Sequence, residues 1–167
     1  MGDLFSFPHP VNEKAARVVA AVVLALTALT LVTGWYWLLA VLAYGFVART
    51  LTGPILSPVG RLATRVVAPR LGPPRPVPGP PKRFAQAMGA VMSTGAAVLA
   101  LGFGRYAAAD VLLVAIAVAA CLESVFAYCV GCKVFDLLMR AGVIPEDVCA
   151  ECADITVRTA AATRHSG

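Results

Sequence analysis

The sequence predicts an all-α integral membrane protein in which four transmembrane helices form two hairpins. Both termini are expected in the cytoplasm, and the chain is expected to end in a cysteine-rich helical tail. Three observations predict this. Only 14% of the 167 residues are charged and the mean hydropathy is +0.80, whereas soluble domains carry about 25% charged residues. The apolar residues form long uncharged segments, and the basic residues are concentrated between these segments.

The first apolar segment contains two predicted spans. Residues 18–48 include no charge over 31 positions. One helix of that length would extend about 46 Å, against a hydrocarbon core of about 30 Å. The aromatic residues at 35–37 are typical of the membrane–water interface. We therefore predict a turn at Thr33–Gly34 between spans at about 16–33 and 35–51.

The second apolar segment contains the other two spans, at about 84–103 and 108–130. Residues 84–103 are uncharged, and residues 111–130 contain one charged residue, Glu123. The sequence GFGRY between them is typical of a tight turn.

The distribution of basic residues sets the predicted orientation. Residues 49–83 contain seven basic residues and no acidic one. The positive-inside rule places such a segment in the cytoplasm, which requires two spans before it. Four spans then leave Arg105 as the one external basic residue. We predict a multi-pass protein of the cell membrane, a bacterial inner membrane, with a single domain over 1–167. Its cytoplasmic parts are a basic, proline-rich loop at 52–83 and a tail at 131–167.

The charge pattern excludes nucleic acid as a partner and identifies the lipid bilayer as one. The basic residues flank apolar spans and do not form the basic face of a nucleic-acid-binding domain. Within the loop, residues 57–71 predict a short amphipathic helix on an anionic membrane surface. Residues 69–81 are rich in proline and predict an extended strap.

The cysteines are the candidate functional residues. Two C-x-x-C pairs, Cys129/Cys132 and Cys149/Cys152, are separated by sixteen residues. In a reducing cytoplasm such pairs are metal ligands or redox thiols. Four thiolates at this spacing can bind zinc or iron tetrahedrally, and the same spacing suits dithiols that exchange with another protein. Both interpretations stay open on spacing alone. Cys121, inside the fourth span, is expected to be a small apolar residue.

Glu123 is the other candidate, because a carboxylate within a span is costly and usually functional. One interpretation is a proton relay for thiol chemistry at the cysteines. The other is a protonated acid that is hydrogen-bonded to a neighbouring helix, with Ser93, Thr94 or Gln86 as its partner.

Several stretches together resemble a known family. They are PVNEKAARV, GPILSPVGRLATRVVAPRL (a GPxxSP motif), PGPPKRFAQ, CVGC (CxGC) and GVIPEDVCAEC. Over residues 8–155 the chain is similar to an uncharacterised bacterial membrane family that is known only as a domain of unknown function. The resemblance implies a multi-span membrane protein, and it implies a thioredoxin-like or sulfurtransferase (rhodanese-like) partner because such proteins occur near or fused to its members.

The function that we expect from this sequence is thiol redox or sulfur transfer at the cytoplasmic membrane face. Cys129, Cys132, Cys149 and Cys152 would react, as in a thiol–disulfide oxidoreductase or a sulfur relay, with Glu123 as the proton relay. The alternative is a non-catalytic membrane protein whose tail binds zinc or iron through the same four cysteines. No other cofactor is expected.

Overall fold

A computed structural model describes residues 10–145 and 148–149. Over these residues the chain forms mainly helices: α1 Glu13–Thr33, α2 Leu38–Thr52, α3 Pro58–Leu62, α4 Gly79–Ala97, α5 Tyr106–Phe126 and α6 Val130–Arg140. Helix α3 continues through a π-helical turn, Ala63–Val67, into Ala68–Arg70, and α4 continues through the π-helical turn Val98–Gly102. Two short strands, β1 Val11–Asn12 and β2 Pro76–Val77, pair antiparallel.

Three of these helices are long and apolar enough to cross a membrane. They are Glu13–Thr33, Gly79–Gly102 and Tyr106–Phe126, whereas α2 has 15 residues. Their outward faces carry exposed apolar side chains, among them Val32, Val91 and Val111, each at least 69% exposed. Water would penalise such surfaces and lipid would not. The helical membrane character predicted from sequence is therefore supported, and a fourth crossing by α2 stays a prediction.

The two most extensive helix pairs join helices that are not adjacent in sequence. Helix α1 packs mainly on α5, α2 packs mainly on α4, and α4 also packs on α5, whereas the α1–α2 contact is slight. At one end of the bundle, the Arg17 side chain donates to the carbonyl oxygen of Ser124 at 3.0 Å. At the other end, the Tyr36 hydroxyl donates to Asp110 at 3.0 Å. We call the end with Arg17 the basic end and the end with Tyr36 the turn end.

The boundaries of α1 and α4 follow from local sequence chemistry. The Asn12 side chain caps α1 by accepting from the backbone N–H of Lys14, and Gly34 ends it in the left-handed conformation, φ 70°. The turn predicted at 33–34 is thus present. Helix α4 begins at Gly79, five residues before the predicted start at 84, because prolines fit the first turn of a helix, where their missing N–H has no partner to lose.

The fourth apolar segment ends earlier than predicted. Helix α5 stops at Phe126, not at about 130, and Ala127 takes a left-handed conformation, φ 55°. The chain therefore breaks before Cys129. Gly131 lies in the first turn of α6, where a Cβ would lie 2.6 Å from the Cα of Ala85. Its missing side chain lets α6 approach α4 closely.

The loop between α2 and α4 is tied to the start of the chain. The pair β1–β2 joins Val11 to Val77, and the Lys14 ammonium donates to the carbonyl oxygen of Leu71 at 2.7 Å. These contacts hold the proline-rich strap across the basic end of the bundle. Helix α3 lies where the short amphipathic helix was predicted and exposes Arg61.

Candidate thiol site

Cys129 and Cys132 lie at the N-terminus of α6, outside the membrane-crossing helices. Cys129 is the N-cap residue, and its sulfur accepts from the backbone N–H of Cys132 at 3.4 Å. The Cys132 thiol also donates to the Cys129 sulfur, with 2.7 Å between the two Sγ atoms. A disulfide needs about 2.05 Å, so a further approach of about 0.7 Å would bring the sulfurs to bonding distance. Both thiols are free and half-buried.

The environment makes the two thiols chemically unequal. The hydrogen bond from Cys132 lowers the pKa of Cys129 below its ordinary value of 9.0, and the positive charge of Lys82 acts in the same direction, while burial and Glu123 oppose it. The same hydrogen bond, together with burial, raises the pKa of Cys132. A helix N-terminus also favours a thiolate. Cys129 is therefore the more acidic thiol of the pair, and Cys132 holds its proton more tightly.

An ion pair between Lys82 and Glu123 lies beside the thiols. The Lys82 ammonium donates to Oε1 of Glu123, and the two side chains are only 11% and 17% exposed. The charge of Lys82 is felt at both sulfurs. Sequence reasoning found Glu123 but missed Lys82, which it assigned to the cytoplasmic loop.

The predicted partners of Glu123 were wrong. The Ser93 hydroxyl donates within its own helix to Gly89, and the Gln86 side-chain oxygen accepts from Arg49 at 2.9 Å. Thr94 makes no hydrogen bond to Glu123 in the described part of the chain, where the partner of the carboxylate is Lys82. The prediction failed because it placed the start of α4 too late. The helix begins at Gly79, so Lys82 lies in its first turn. From there its ammonium group can neutralise the buried Glu123 carboxylate, which a hydroxyl group cannot do.

Cys129 lines two separate spaces. One is a partly open pocket of about 100 Å³, lined by α1, α2, α4, α5 and the start of α6, whose wall is apolar except near Gln86, Glu123 and Cys129. The other is a surface groove of about 320 Å³ that Cys129 shares with Cys132, Tyr128 and the charged residues Lys133 and Asp136. The same sulfur thus borders a pocket among the long helices and a groove beside α6.

Of the other predicted site cysteines, only Cys149 lies among the described residues. Cys149 is disulfide-bonded and 4% exposed, and it packs with Phe135 and Met139 along α6. Cys121 is a free thiol within α5, and Cys152 lies outside the described residues. Over 10–145 and 148–149, no group of three His, Cys, Asp or Glu residues could hold a metal ion. A four-cysteine metal site would need Cys152 and stays a prediction.

Comparison with known proteins locates the thiol pair within a family domain. The family described as "Domain of unknown function (DUF4395)" matches residues 11–140, which include Lys82, Glu123, Cys129 and Cys132. Cys149 follows the matched range. No curated protein and no solved structure matches the chain.

Proposed function

This chain belongs to the DUF4395 family, and we propose that it is a membrane thiol–disulfide oxidoreductase whose Cys129/Cys132 pair exchanges with a thioredoxin-like protein. The observation that carries the proposal is the 2.7 Å approach of the two sulfurs at a helix N-terminus. The depressed pKa of Cys129 supports it, because the thiolate is the reacting species in thiol–disulfide exchange.

The proposal includes four membrane crossings, with the thiols at the cytoplasmic face. The basic end of the bundle holds Lys14, Arg17 and Arg83, and the turn end holds Arg105 near the start of α5. The positive-inside rule assigns the basic end to the cytoplasm. Helix α2 would extend only about 22 Å, and local thinning of the bilayer can accommodate a span of that length. The exposed indoles of Trp35 and Trp37 suit an interface at the turn end.

The first chemical step is attack by Cys129 on a disulfide of the partner. The Cys129 thiolate forms a bond to one partner sulfur, the partner's S–S bond breaks, and the other partner sulfur leaves as a thiolate that takes up a proton from water. The product is a mixed disulfide between Cys129 and the partner.

The second step releases the partner in its reduced form. Cys132 loses its proton and attacks the Cys129 sulfur of the mixed disulfide; a Cys129–Cys132 bond forms, and the partner's second thiolate leaves. Glu123 is the proposed proton acceptor for Cys132, since its charge acts on both thiols. Two electrons pass from the dithiol to the partner, and the reverse sequence reduces this chain.

The surface groove is the proposed docking place for the partner. It opens beside both sulfurs and carries Glu13, Lys133 and Asp136, so it offers charges of both signs to a water-soluble protein. An extended segment of a thioredoxin-like protein around its own cysteines would suit a groove of this kind.

Trapping of the mixed disulfide tests the proposal. Cys132→Ser removes the resolving thiol, so the variant should retain a thioredoxin-like protein on Cys129 that reductant releases. Cys129→Ser should retain none, and Cys121→Ser, a matched control in α5, should behave like the wild type.

Other results of the same experiment would replace the proposal. A persulfide on Cys129 without a captured protein would indicate sulfur transfer from a rhodanese-like donor. Thiols that resist alkylation until a chelator removes one zinc or iron per chain would indicate the four-cysteine metal site. Equal capture by the two single variants would contradict the assignment of Cys129 as nucleophile.

A further inference from the structure

A second pocket, of about 230 Å³, lies at the basic end of the bundle, where α1, α2, α4 and the loop that carries α3 form its wall. Helices α1 and α2 contact each other only slightly, and the pocket lies between them. Most of its lining residues are apolar, among them Ala15, Val19 and Pro54, and neither thiol of the candidate site lines it. The proposed thiol exchange therefore leaves this pocket without a role.

Arg49 places a positive charge in the wall of this pocket, although its side chain belongs to a residue that is only 6% exposed. Its Nε donates to the side-chain oxygen of Gln86 at 2.9 Å, and its Nη1 donates to the hydroxyl of Ser57 at 3.3 Å. Neither acceptor carries a charge. The ion pairs in the described part of the chain join other residues, so Arg49 has no carboxylate partner there.

The third nitrogen of the guanidinium, Nη2 of Arg49, donates no hydrogen bond within residues 10–145 and 148–149. No completely enclosed side-chain nitrogen or oxygen in those residues lacks a partner, so Nη2 must reach accessible space. The pocket that Arg49 lines provides that space. The guanidinium therefore offers both N–H groups of Nη2, together with its charge, to a ligand in the pocket.

Local features offset only part of the charge on Arg49. It lies in the last turn of α2, where the helix dipole is equivalent to about half a negative charge, and its guanidinium lies 4.8 Å from the centroid of the Phe46 ring. Lys82, the other basic residue that lines the pocket, is paired with Glu123. The wall therefore keeps an excess of positive charge. Because a buried charge without a counter-ion is costly, a ligand with one negative charge would stabilise this arrangement.

We propose that the pocket binds the headgroup of an anionic phospholipid, with the phosphodiester on the guanidinium of Arg49. The inference goes beyond the proposed function and does not depend on thiol chemistry, although it shares the membrane orientation given there. Basic pockets between transmembrane helices on the cytoplasmic side are typical sites for anionic headgroups. A guanidinium suits such a ligand, since its N–H groups match the spacing of phosphate oxygens.

The size and lining of the pocket favour a lipid headgroup over a free ion. An apolar cavity of about 150 Å³ can hold benzene, and a phosphate group has fewer heavy atoms than benzene. A pocket of about 230 Å³ therefore holds a phosphate together with part of the glycerol. A free phosphate ion would leave Val19 and Pro54 facing water, whereas the carbon atoms of a lipid would cover them. The short helix α2 would also thin the bilayer locally, which brings headgroups to the level of Arg49.

Native mass spectrometry of the full chain tests the site. The protein is equilibrated in mixed micelles that contain equal amounts of phosphatidylglycerol and phosphatidylcholine with the same acyl chains, and the detergent is then removed in the spectrometer. Wild type should retain one phosphatidylglycerol per chain and should prefer it to phosphatidylcholine by about tenfold or more. Because the acyl chains are identical, the preference reports the charge of the headgroup.

Arg49→Met removes the charge and the donors, so it should lower the retention of phosphatidylglycerol by about tenfold or more. The matched control is Arg61→Met, which removes an exposed charge of α3 that is not in the pocket wall. Its retention should stay within about twofold of the wild type, since exposed charges contribute little.

A second variant covers the case in which Arg49→Met does not fold, as judged by helical circular dichroism. Thr64 is exposed and lines the pocket, so Thr64→Phe should obstruct the pocket without changing any charge. It should also lower the retention of phosphatidylglycerol by about tenfold. Wild-type retention in either variant, once folded, would overturn the inference.

Inorganic phosphate distinguishes a lipid from a soluble anion as the ligand. An excess of inorganic phosphate should leave the retained phosphatidylglycerol in place, because the ion cannot replace the contacts of the lipid carbons with the apolar wall. A phosphate adduct that displaces the lipid and is lost in Arg49→Met would assign the site to a soluble anion and overturn the lipid assignment. Equal retention of the two lipids by the wild type, or retention of neither, would refute the site.

Discussion

The ion pair between Lys82 and Glu123 should contribute strongly to stability, and a double-mutant cycle can measure how much. Both side chains are more than four-fifths buried, at 11% and 17% exposure, so solvent screens their attraction little. Loss of one partner leaves the other charge buried and uncompensated, which costs about 3–5 kcal/mol in comparable sites. We therefore expect Lys82→Met and Glu123→Gln each to lower the free energy of unfolding by about 3 kcal/mol or more.

The double variant distinguishes an ion pair from two independent contacts. It removes both charges together, and replacing a whole buried pair is often nearly neutral. We expect Lys82→Met/Glu123→Gln to be more stable than the sum of the single losses predicts, by about 3 kcal/mol. The free energies can be measured from reversible unfolding in mixed micelles, followed by helical circular dichroism.

Arg83→Met is the matched control for the cycle. It removes a neighbouring basic residue that is exposed and donates to the carbonyl oxygen of Thr50, so its cost should stay below about 1 kcal/mol. Additive losses in the double variant, or a Glu123→Gln variant as stable as the wild type, would refute the reasoning.

Three further predictions follow from the site and the fold. The alkylation rate of Cys129 should rise with pH through a midpoint below the ordinary 9.0. Cys132→Ala should move that midpoint upward, because it removes the hydrogen-bond donor that contributes most to the depressed pKa of Cys129. An unchanged midpoint, read from mass-spectrometric rates, would contradict the assignment. Gly131→Ala should destabilise the protein by about 1–3 kcal/mol, since the new Cβ would lie 2.6 Å from the Cα of Ala85. The control is Gly95→Ala, whose new Cβ would lie 3.6 Å from Cδ1 of Leu112; it should be neutral or stabilising in the same unfolding assay. A topology reporter fused after Arg105 should behave as external and one fused in the proline-rich loop as cytoplasmic; the opposite pattern would move the thiols outside.

Local features of the fold could be predicted because their causes are local. The turn at Gly34 and the helix over α3 depend on residues within one or two turns. The proximity of Cys129 and Cys132 is also a local feature. Two side chains three residues apart at the start of a helix are neighbours, independent of the tertiary structure.

Features that join distant segments could not be read from one sequence. Lys82 and Glu123 are 41 residues apart in the chain. Nothing in the sequence shows which basic residue forms an ion pair with the Glu123 carboxylate. The preference of α1 for α5 over α2 likewise depends on side-chain shapes across the whole bundle. The pocket beside Glu123 and Cys129 is lined by residues of several helices, and their alignment is known only once the helices are packed.

The redox state of Cys129 and Cys132 across a series of glutathione buffers tests the central claim most directly. The intact protein is equilibrated in each buffer, its free thiols are alkylated, and the modified cysteines are identified by mass spectrometry. We predict that both thiols disappear together along one two-electron curve, because they form a single disulfide, and that no metal is released. Thiols that stay reduced in every buffer, that oxidise independently, or that become reactive only when a chelator removes a bound zinc or iron would contradict the account.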